Sequence, residues 1–463
     1  MGLAGTLNAL NFSPLSSLVS LNLTFNNFYG SIPTTIAVLS KLTTLDLCTN
    51  SFTGIIPLQI SSLTKINSLN LSDNQISGSI PPSLSNMTRL NFLYLFGTNL
   101  SGSIPEELGR LENLLHLEIS YNQLTGSIPP TLGNLTRLQL LDCQNNEISG
   151  SIPPELGNLV NLDILALGNN NLTGFIPRSL GNLTKLNGLY LWRNHLSGSI
   201  PPEIGNLVEL TMLTFSQNNL IGSIPTSLGN LTKLEILHLY ENQISGSIPH
   251  ELGNLRKLNE LSLQINQISG SIPPSFGSLI NLNDLRLGDN QLSGSLPQEF
   301  NNIINLKLLQ LANNSFSGHI PHDICKGGVL THLALNNNHF EGPIPKSLKN
   351  CTSLSKVQLE QNQLSGNISE NLGVYPHMWY IDLSFNRLSG KLSPNWGGCH
   401  NLSLLRVSNN MVTGIIPPEL EKLTQLQELD LSSNYLSEDI PKDLSKLTKL
   451  YILNLSNNQL VGE

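Results

Sequence analysis

The chain has 463 residues, a formal net charge of −8, and only 12% charged and 5% aromatic residues. The charge is scattered, with no run of Lys or Arg, which excludes nucleic acid and anionic membrane surfaces as main partners; the scarcity of rings leaves leucine to build the core. Five cysteines, Cys48, Cys143, Cys325, Cys351 and Cys399, are an odd number and exclude a fully paired disulfide framework.

The first residues, MGLAGTLNAL, lack the charged and apolar zones of a signal peptide, and no stretch of about 18 apolar residues follows that would span a bilayer. From Asn26 the chain is periodic. An asparagine recurs every 24 residues as far as Asn458, with Thr98 the single substitute, inside a unit LxxLxLxxNxLxGxIPxxLGNLxx that fits Leu186, Leu189, Leu191, Asn194, Leu196, Gly198, Ile200 and Pro201. Such a period identifies a repeat architecture. L-x-L alternates with period two, so its leucines face inward and the residues around them face out of a short strand. Stacked copies pair into a parallel sheet on the concave side of a solenoid. The asparagine amide satisfies backbone groups where the chain leaves the strand, and Thr98 offers less, so a looser turn is expected there. Gly-x-Ile-Pro permits an unusual φ and ends ladder donation, and xxLGNL is expected to form a short helical or irregular turn on the convex side.

Four columns, six, four, two and one residues before the asparagine, are left to face the concavity. The first units are plain there, reading LNLTFN, LDLCTN and LNLSDN. The middle ones are not: Tyr94 and Phe96, Glu118 and Tyr121, Tyr190, Trp192 and Arg193 in LYLWRN, Ser216 and Gln217, His238, Tyr240 and Glu241, Gln264, then Arg286 and Asp289. Phe92, His116, Glu260 and Asp284 stand in the outermost column. Rings on a rigid polar sheet suit the anchoring of a partner, or they cover their neighbours' aliphatic stems. Arg193 and Arg286 pair with a ligand carboxylate or with nearby acids such as Glu241 and Asp284. His116, His238 and His332 are expected to titrate near mildly acidic pH, either as a functional set or as ordinary solvated side chains. Twelve units at about 4.8 Å each offer roughly 55 Å, the reach of an extended peptide of roughly 15 residues. The last units return to plain letters, as in LDLSSN.

Cys143 takes a core leucine position, and Cys48 lies on the concave strand. Fourteen N-x-S/T sequons occur, with Asn86, Asn134, Asn182, Asn230 and Asn350 in one convex column and Asn401 nearby. Asn158, Asn206 and Asn254 fill that column without being sequons, so a structural reason for asparagine is expected there, and some sequons are by-products of the repeat. No P-loop, GxGxxG, HExxH, CxxC or G-x-S-x-G occurs, and the Ser, Asp and His residues sit in repeat columns, so no catalysis and no cofactor or metal is expected.

Repeats with G-x-I-P after the asparagine resemble the plant extracellular subtype of leucine-rich repeat, over about residues 18–463. The stretch ISENLGVYPHMWYIDLSFNRLSGKLSPNWGGCHNL, residues 368–402, is similar to late repeats of peptide-sensing receptor kinases, particularly the male-discoverer-interacting receptor-like kinase group. The resemblance implies a leucine-rich repeat solenoid of the α/β repeat class, a right-handed superhelix whose residues 1–17 are the remnant of an N-terminal cap and whose residues 18–463 are repeats 1–19, the last incomplete and without a C-terminal cap. It implies a location at the outer face of the plasma membrane or in the apoplast, a secreted peptide ligand on the concave face for signalling in immunity or development, and a leucine-rich repeat co-receptor kinase as second partner. The family's membrane helix and serine/threonine kinase are expected outside these residues, the chain being a truncated gene model or an ectodomain fragment. Cys325 and Cys351 lie on neighbouring turns about 5 Å apart, and the arrangement recurs in similar plant receptors, so a bridge is expected between them. Two other readings remain, a secreted inhibitor of a microbial cell-wall enzyme of the polygalacturonase-inhibitor type, and a nonfunctional receptor fragment.

Overall fold

The structure is a computed structural model and describes residues 2–462. Two compact units, Met1–Leu234 and Glu235–Glu463, are built by the same rule. In the N-terminal unit, three-residue strands from Ser20–Asn22 to Met212–Thr214 form a principal sheet, each strand parallel to that of the next repeat, as where Leu141 faces Leu165 and Leu189 faces Leu213. The C-terminal unit does the same from Ile236–His238 to Ile452–Asn454, with Leu261 opposite Leu285 and Leu405 opposite Leu429. Leu189 and Leu191 are fully buried, while Tyr190 and Trp192 lie half-buried on the open face. Below the sheet, Leu186, Leu196, Ile200, Ile204 and Leu207 are at most 2% exposed, and each such side chain contributes about 2 kcal/mol of burial. Cys143 replaces a leucine of this spine, and burial pushes its thiol far above the usual range.

The asparagine is saturated with backbone. Asn194 Nδ2 donates to the carbonyls of Leu167 (3.0 Å), Leu191 (3.2 Å) and Trp192 (3.3 Å), and its Oδ1 accepts from Leu172 N (2.9 Å). Asn338 makes the same set in the C-terminal unit, with Leu311, Leu335, Asn336 and Phe316. One side chain thus joins its own turn to the preceding repeat, each bond contributing about 1 kcal/mol net.

Spacing alone places the residue before the asparagine in one more outward column. Its backbone is instead a left-handed hinge, with φ of 54° at Phe25, 51° at Arg193, 58° at Ile265 and 55° at Asn457. That conformation costs a residue with a Cβ about 1–2 kcal/mol, and the asparagine bonds hold it in place. At Thr98 the bonds are fewer, Oγ1 donating to Asn122 Oδ1 (2.5 Å) and Leu95 O (3.3 Å). The residue before it is Gly97, whose φ of 63° carries no Cβ penalty. The weaker bonding therefore falls on the turn that asks least of it.

Beyond the hinge lies a second sheet that spacing did not reveal. In the N-terminal unit Asn27–Ser31 pairs in parallel with Ser51–Ile55, and that with Gln75–Gly78; in the C-terminal unit the series runs from Gln243–Ser247 to Gln459–Val461. The Ile-Pro step leads into five-residue 3-10 turns such as Arg178–Asn182. Their glycine has a packing cause, because a Cβ on Gly181 would collide with the carbonyl of Glu203 in the next turn. After Pro321 the chain forms turns without a 3-10 helix, and there Cys325 is bonded to Cys351 with a Cα separation of 6.0 Å. Among the described residues no helix is long and apolar enough to cross a membrane.

Candidate functional site

On the open face of the N-terminal unit, the short parallel strands set ring against ring. Phe92 meets His116 edge-on at 5.1 Å between centroids, and Tyr94 Oη lies 2.9 Å from His116 Nδ1. In register beside them, Tyr94 faces Glu118 and Glu118 faces Asp142. Burial, then the neighbouring Asp142, holds the Glu118 carboxyl above its ordinary range, and burial does the same to Asp142. Neither has a salt-bridge partner among the described residues, although Gln144 N donates to Asp142 at 3.0 Å. Phe96 is half-buried in the next column. Farther along, Tyr190 lies over Gly188 with its hydroxyl 3.0 Å from Met212 Sδ, and the indole of Trp192 covers Gly168, which has no room for a Cβ. These rings therefore rest on the sheet as well as facing outward. Tyr121 (60% exposed) and Arg193 stand out from hinge positions, and Gln217 is half-buried at another. Ser216 does not belong with them. It is 3% exposed, like Ser120 of the same column, because so short a side chain stays below the level of its neighbours.

The C-terminal unit has matched charges. Arg286 forms a two-pronged bond with Asp284 of its own strand, at 2.9 and 2.7 Å, so its partner is the local acid. His238 Nε2 lies 3.3 Å from Glu260, with the ring of Tyr240 at 5.9 Å. Glu241 is half-buried at a hinge. Burial lowers the pKa of His116, His238 and His332, so these histidines give up their protons below the ordinary imidazole range. A hollow of about 320 Å³ is lined by Gln264, Arg286, Gln310, His332, Lys356 and Gln358. On this face Gln264 Oε1, Gln310 Oε1, Asn336 Oδ1 and Glu360 Oε2 are shielded from solvent and have no hydrogen-bond partner.

Sequence reading missed the late repeats. Lys356 Nζ stands 5.7 Å from the ring of Trp379 and 5.2 Å from that of Tyr380, and Arg406 bonds Glu428 at 2.6 Å and Asp382 at 3.4 Å. Burial, foremost, pushes the Glu360 carboxyl up to about 7, with Asp382 adding to it. The signal was present in the two outer columns, at Lys356, Tyr380, Asp382, Arg406 and Glu428, while the inner letters of those repeats look plain.

Asn86, Asn134, Asn182, Asn230, Asn350 and Asn401 are all exposed. The expected structural reason for asparagine in the first column is not a side-chain hydrogen bond, since among the described residues Asn158, Asn206 and Asn254 form none. Asn401 does have one, donating to Pro376 O at 2.7 Å. Cys48, Cys143 and Cys399 are free thiols, and no cluster of three or more His, Cys, Asp or Glu among the described residues could hold a metal ion.

Known proteins agree with this architecture. The leucine-rich repeat region family matches residues 178–288, and leucine-rich repeat families match 40–100, 400–460 and seven single units from 17–39 to 329–351. No curated protein sequence matches the chain. Among solved structures, the chain is similar to the Arabidopsis receptor kinase HAESA in complex with the peptide hormone IDA and the co-receptor SERK1, with 36% identity, TM-score 0.90, and coverage of 100% of this chain and 81% of that one. It is similar to the plant peptide hormone receptor RGFR1 in complex with RGF2 (36%, 0.86, 100% and 80%) and to PEPR1 in the PEPR1–AtPEP1 complex (33%, 0.88, 99% and 68%). Each of these matches covers 99% or more of the present chain. The chain belongs to the leucine-rich repeat family, as an ectodomain of the plant receptor-kinase type.

Proposed function

We propose that this ectodomain binds a secreted peptide along the open face of its principal sheet, outside the cell, and acts by recognition without catalysis. The observation that carries this is the set of half-buried rings that the N-terminal unit presents on the open face of a sheet whose own backbone is paired. Half-buried rings at Tyr94, Phe96, Tyr190 and Trp192 supply contact area that is already ordered, so the ordering cost falls on the peptide. The similar HAESA and RGFR1 complexes, each with a peptide hormone, support the ligand class, and the SERK1 in the former supports a leucine-rich repeat co-receptor as second partner. Signalling in immunity or development, through a kinase of the male-discoverer-interacting group, is the finer reading that residues 368–402 favour.

The test is calorimetric titration of the secreted chain with a panel of plant secreted peptides. A peptide ligand should lose about 2 kcal/mol of binding when Trp192 or Tyr94 becomes alanine. Binding that survives both changes, or a panel that yields no binder, would remove the open face as the site.

A further inference from the structure

Four residues before the asparagine, the strands of the N-terminal unit set Asp142, Ala166 and Tyr190 side by side in register. The C-terminal unit shows what this column does with an acid. There Asp382 faces Arg406 of the next repeat, whose guanidinium bonds it at 3.4 Å and Glu428 at 2.6 Å. Lys356 of the same unit places its ammonium over the rings of Trp379 and Tyr380. Asp142 has no such counterpart. Its bonds come from neutral donors, Gln144 N at 3.0 Å, Gln144 Nε2 at 3.4 Å and the Ser120 hydroxyl, and it has no salt-bridge partner among the described residues. Ala166 stands where the other repeat has Arg406.

The far side of Ala166 is prepared by glycine. Gly168 lies outside the left-handed region, so its backbone does not require glycine. A Cβ there would meet Nε1, Cδ1 and Cε2 of Trp192 together, so the indole lies on the sheet by one face and turns the other outward. Gly188 likewise leaves room for the ring of Tyr190. Among the described residues no ring or cation stacks on Trp192 or Tyr190, whereas Trp379 has Lys356. The outward columns of the N-terminal unit hold Asp46, Asp73, Glu118 and Asp142, with Arg193 the one Lys or Arg. A cation entering here is attracted by the whole face as well as by its nearest acid.

We propose that the gap above Ala166, between the carboxylate of Asp142 and the rings of Tyr190 and Trp192, takes a basic side chain, arginine or lysine, of the bound peptide. Ala166 is 3% exposed, its methyl lying below the level of its neighbours. Asp142 and Tyr190 are two strand spacings apart, about 10 Å, which is the width of one guest side chain. A guanidinium or ammonium there bonds the carboxylate and lies against the aromatic rings, as Arg406 and Lys356 do in their own unit. The inference deepens the reading of the open face as a peptide site and rests on it.

The full secreted chain, used to select binders from a library of random peptides of roughly 15 residues, gives the test. Binders made as free peptides and titrated by calorimetry should share an arginine or lysine. Replacing it by citrulline or norleucine, which drop the charge, should weaken binding to the wild-type chain about tenfold, and to Asp142→Asn by about twofold or less. Ala166→Arg, which copies the arrangement at Arg406, should exclude the basic peptides. Binders that are weakened by Tyr94→Ala but share no basic residue overturn the proposal and leave the open face standing as the site. A basic residue whose replacement costs the same on wild type and Asp142→Asn, or whose peptides bind Ala166→Arg undiminished, does so too. Binders that ignore both Trp192→Ala and Tyr94→Ala, or a library without binders, overturn the open face and this proposal together.

Discussion

The two units use one scaffold and leave their open faces in opposite electrostatic states. In the N-terminal unit Glu118 and Asp142 face each other with no salt-bridge partner among the described residues, against a wall of Phe92, Tyr94 and His116. In the C-terminal unit each of three cations has its counterpart, Arg286 with Asp284, Arg406 with Glu428 and Asp382, Lys356 over Trp379 and Tyr380. The first holds an acidic pair with no salt-bridge partner among the described residues; in the second, Arg286 and Arg406 are bonded to carboxylates.

Replacing both Cys325 and Cys351 by alanine opens a link of sequence separation 26, and the C-terminal unit should lose about 3 kcal/mol. Hydrogen exchange should show the loss there with the N-terminal unit unaffected; equal losses in both would mean that the two melt as one.

Next in size is binding. Trp192→Ala or Tyr94→Ala should weaken a peptide ligand by about 2 kcal/mol. Arg286→Ala should weaken it less, because that charge is already engaged by Asp284. The reverse ranking, by calorimetry, would place the anchors in the C-terminal unit.

A pH scan sharpens the contrast further. Glu360 is harder to ionise in the folded chain, rising from 4.5 to about 7, so the native state holds its proton where the unfolded state has lost it. The stabilisation is present at low pH and fades as pH rises from 4.5 through 7. Between pH 7.5 and 5.5 the C-terminal unit should gain on the order of 1 kcal/mol, and Glu360→Gln should abolish that gain while Asp382 and Arg406 remain in place. A denaturant midpoint that keeps its full pH dependence in the variant would assign the effect elsewhere.

The smallest effect belongs to the N-terminal face. Glu118→Gln removes half of a like-charged cross-strand pair and should stabilise that unit by a few tenths of a kcal/mol at neutral pH. Because burial raises Glu118, the gain should shrink as the pH falls and the wild-type carboxyl takes up its proton. A loss of stability instead would reveal a cation partner in solution.

Most of the fold was legible because a period of 24 residues leaves no freedom in placing strands and turns. Leu189, Leu191 and Asn194 could be assigned from spacing alone. The hinge at Arg193 could not, since a backbone conformation shared by arginine, tyrosine and isoleucine leaves little mark in side-chain identity; the frequent Asp and Asn at that column, as at Asp73, Asn145 and Asn313, were its trace. The second sheet was hidden for a related reason: its strands carry Gly and Ser, and their pairing rests on backbone. The candidate site was legible as a set of columns and illegible as a set of contacts. Whether Arg286 turns to Asp284, or whether Ser216 reaches the surface, depends on rotamer and side-chain length.

The asparagine ladder has a last consequence. All of its bonds in Asn194 and Asn338 end on main-chain atoms, so the joint between repeats is blind to what the face displays. A repeat can be exchanged, duplicated or rewritten at its outward letters while the seam stays the same. New recognition surfaces can then arise by shuffling units, with folding left as it was.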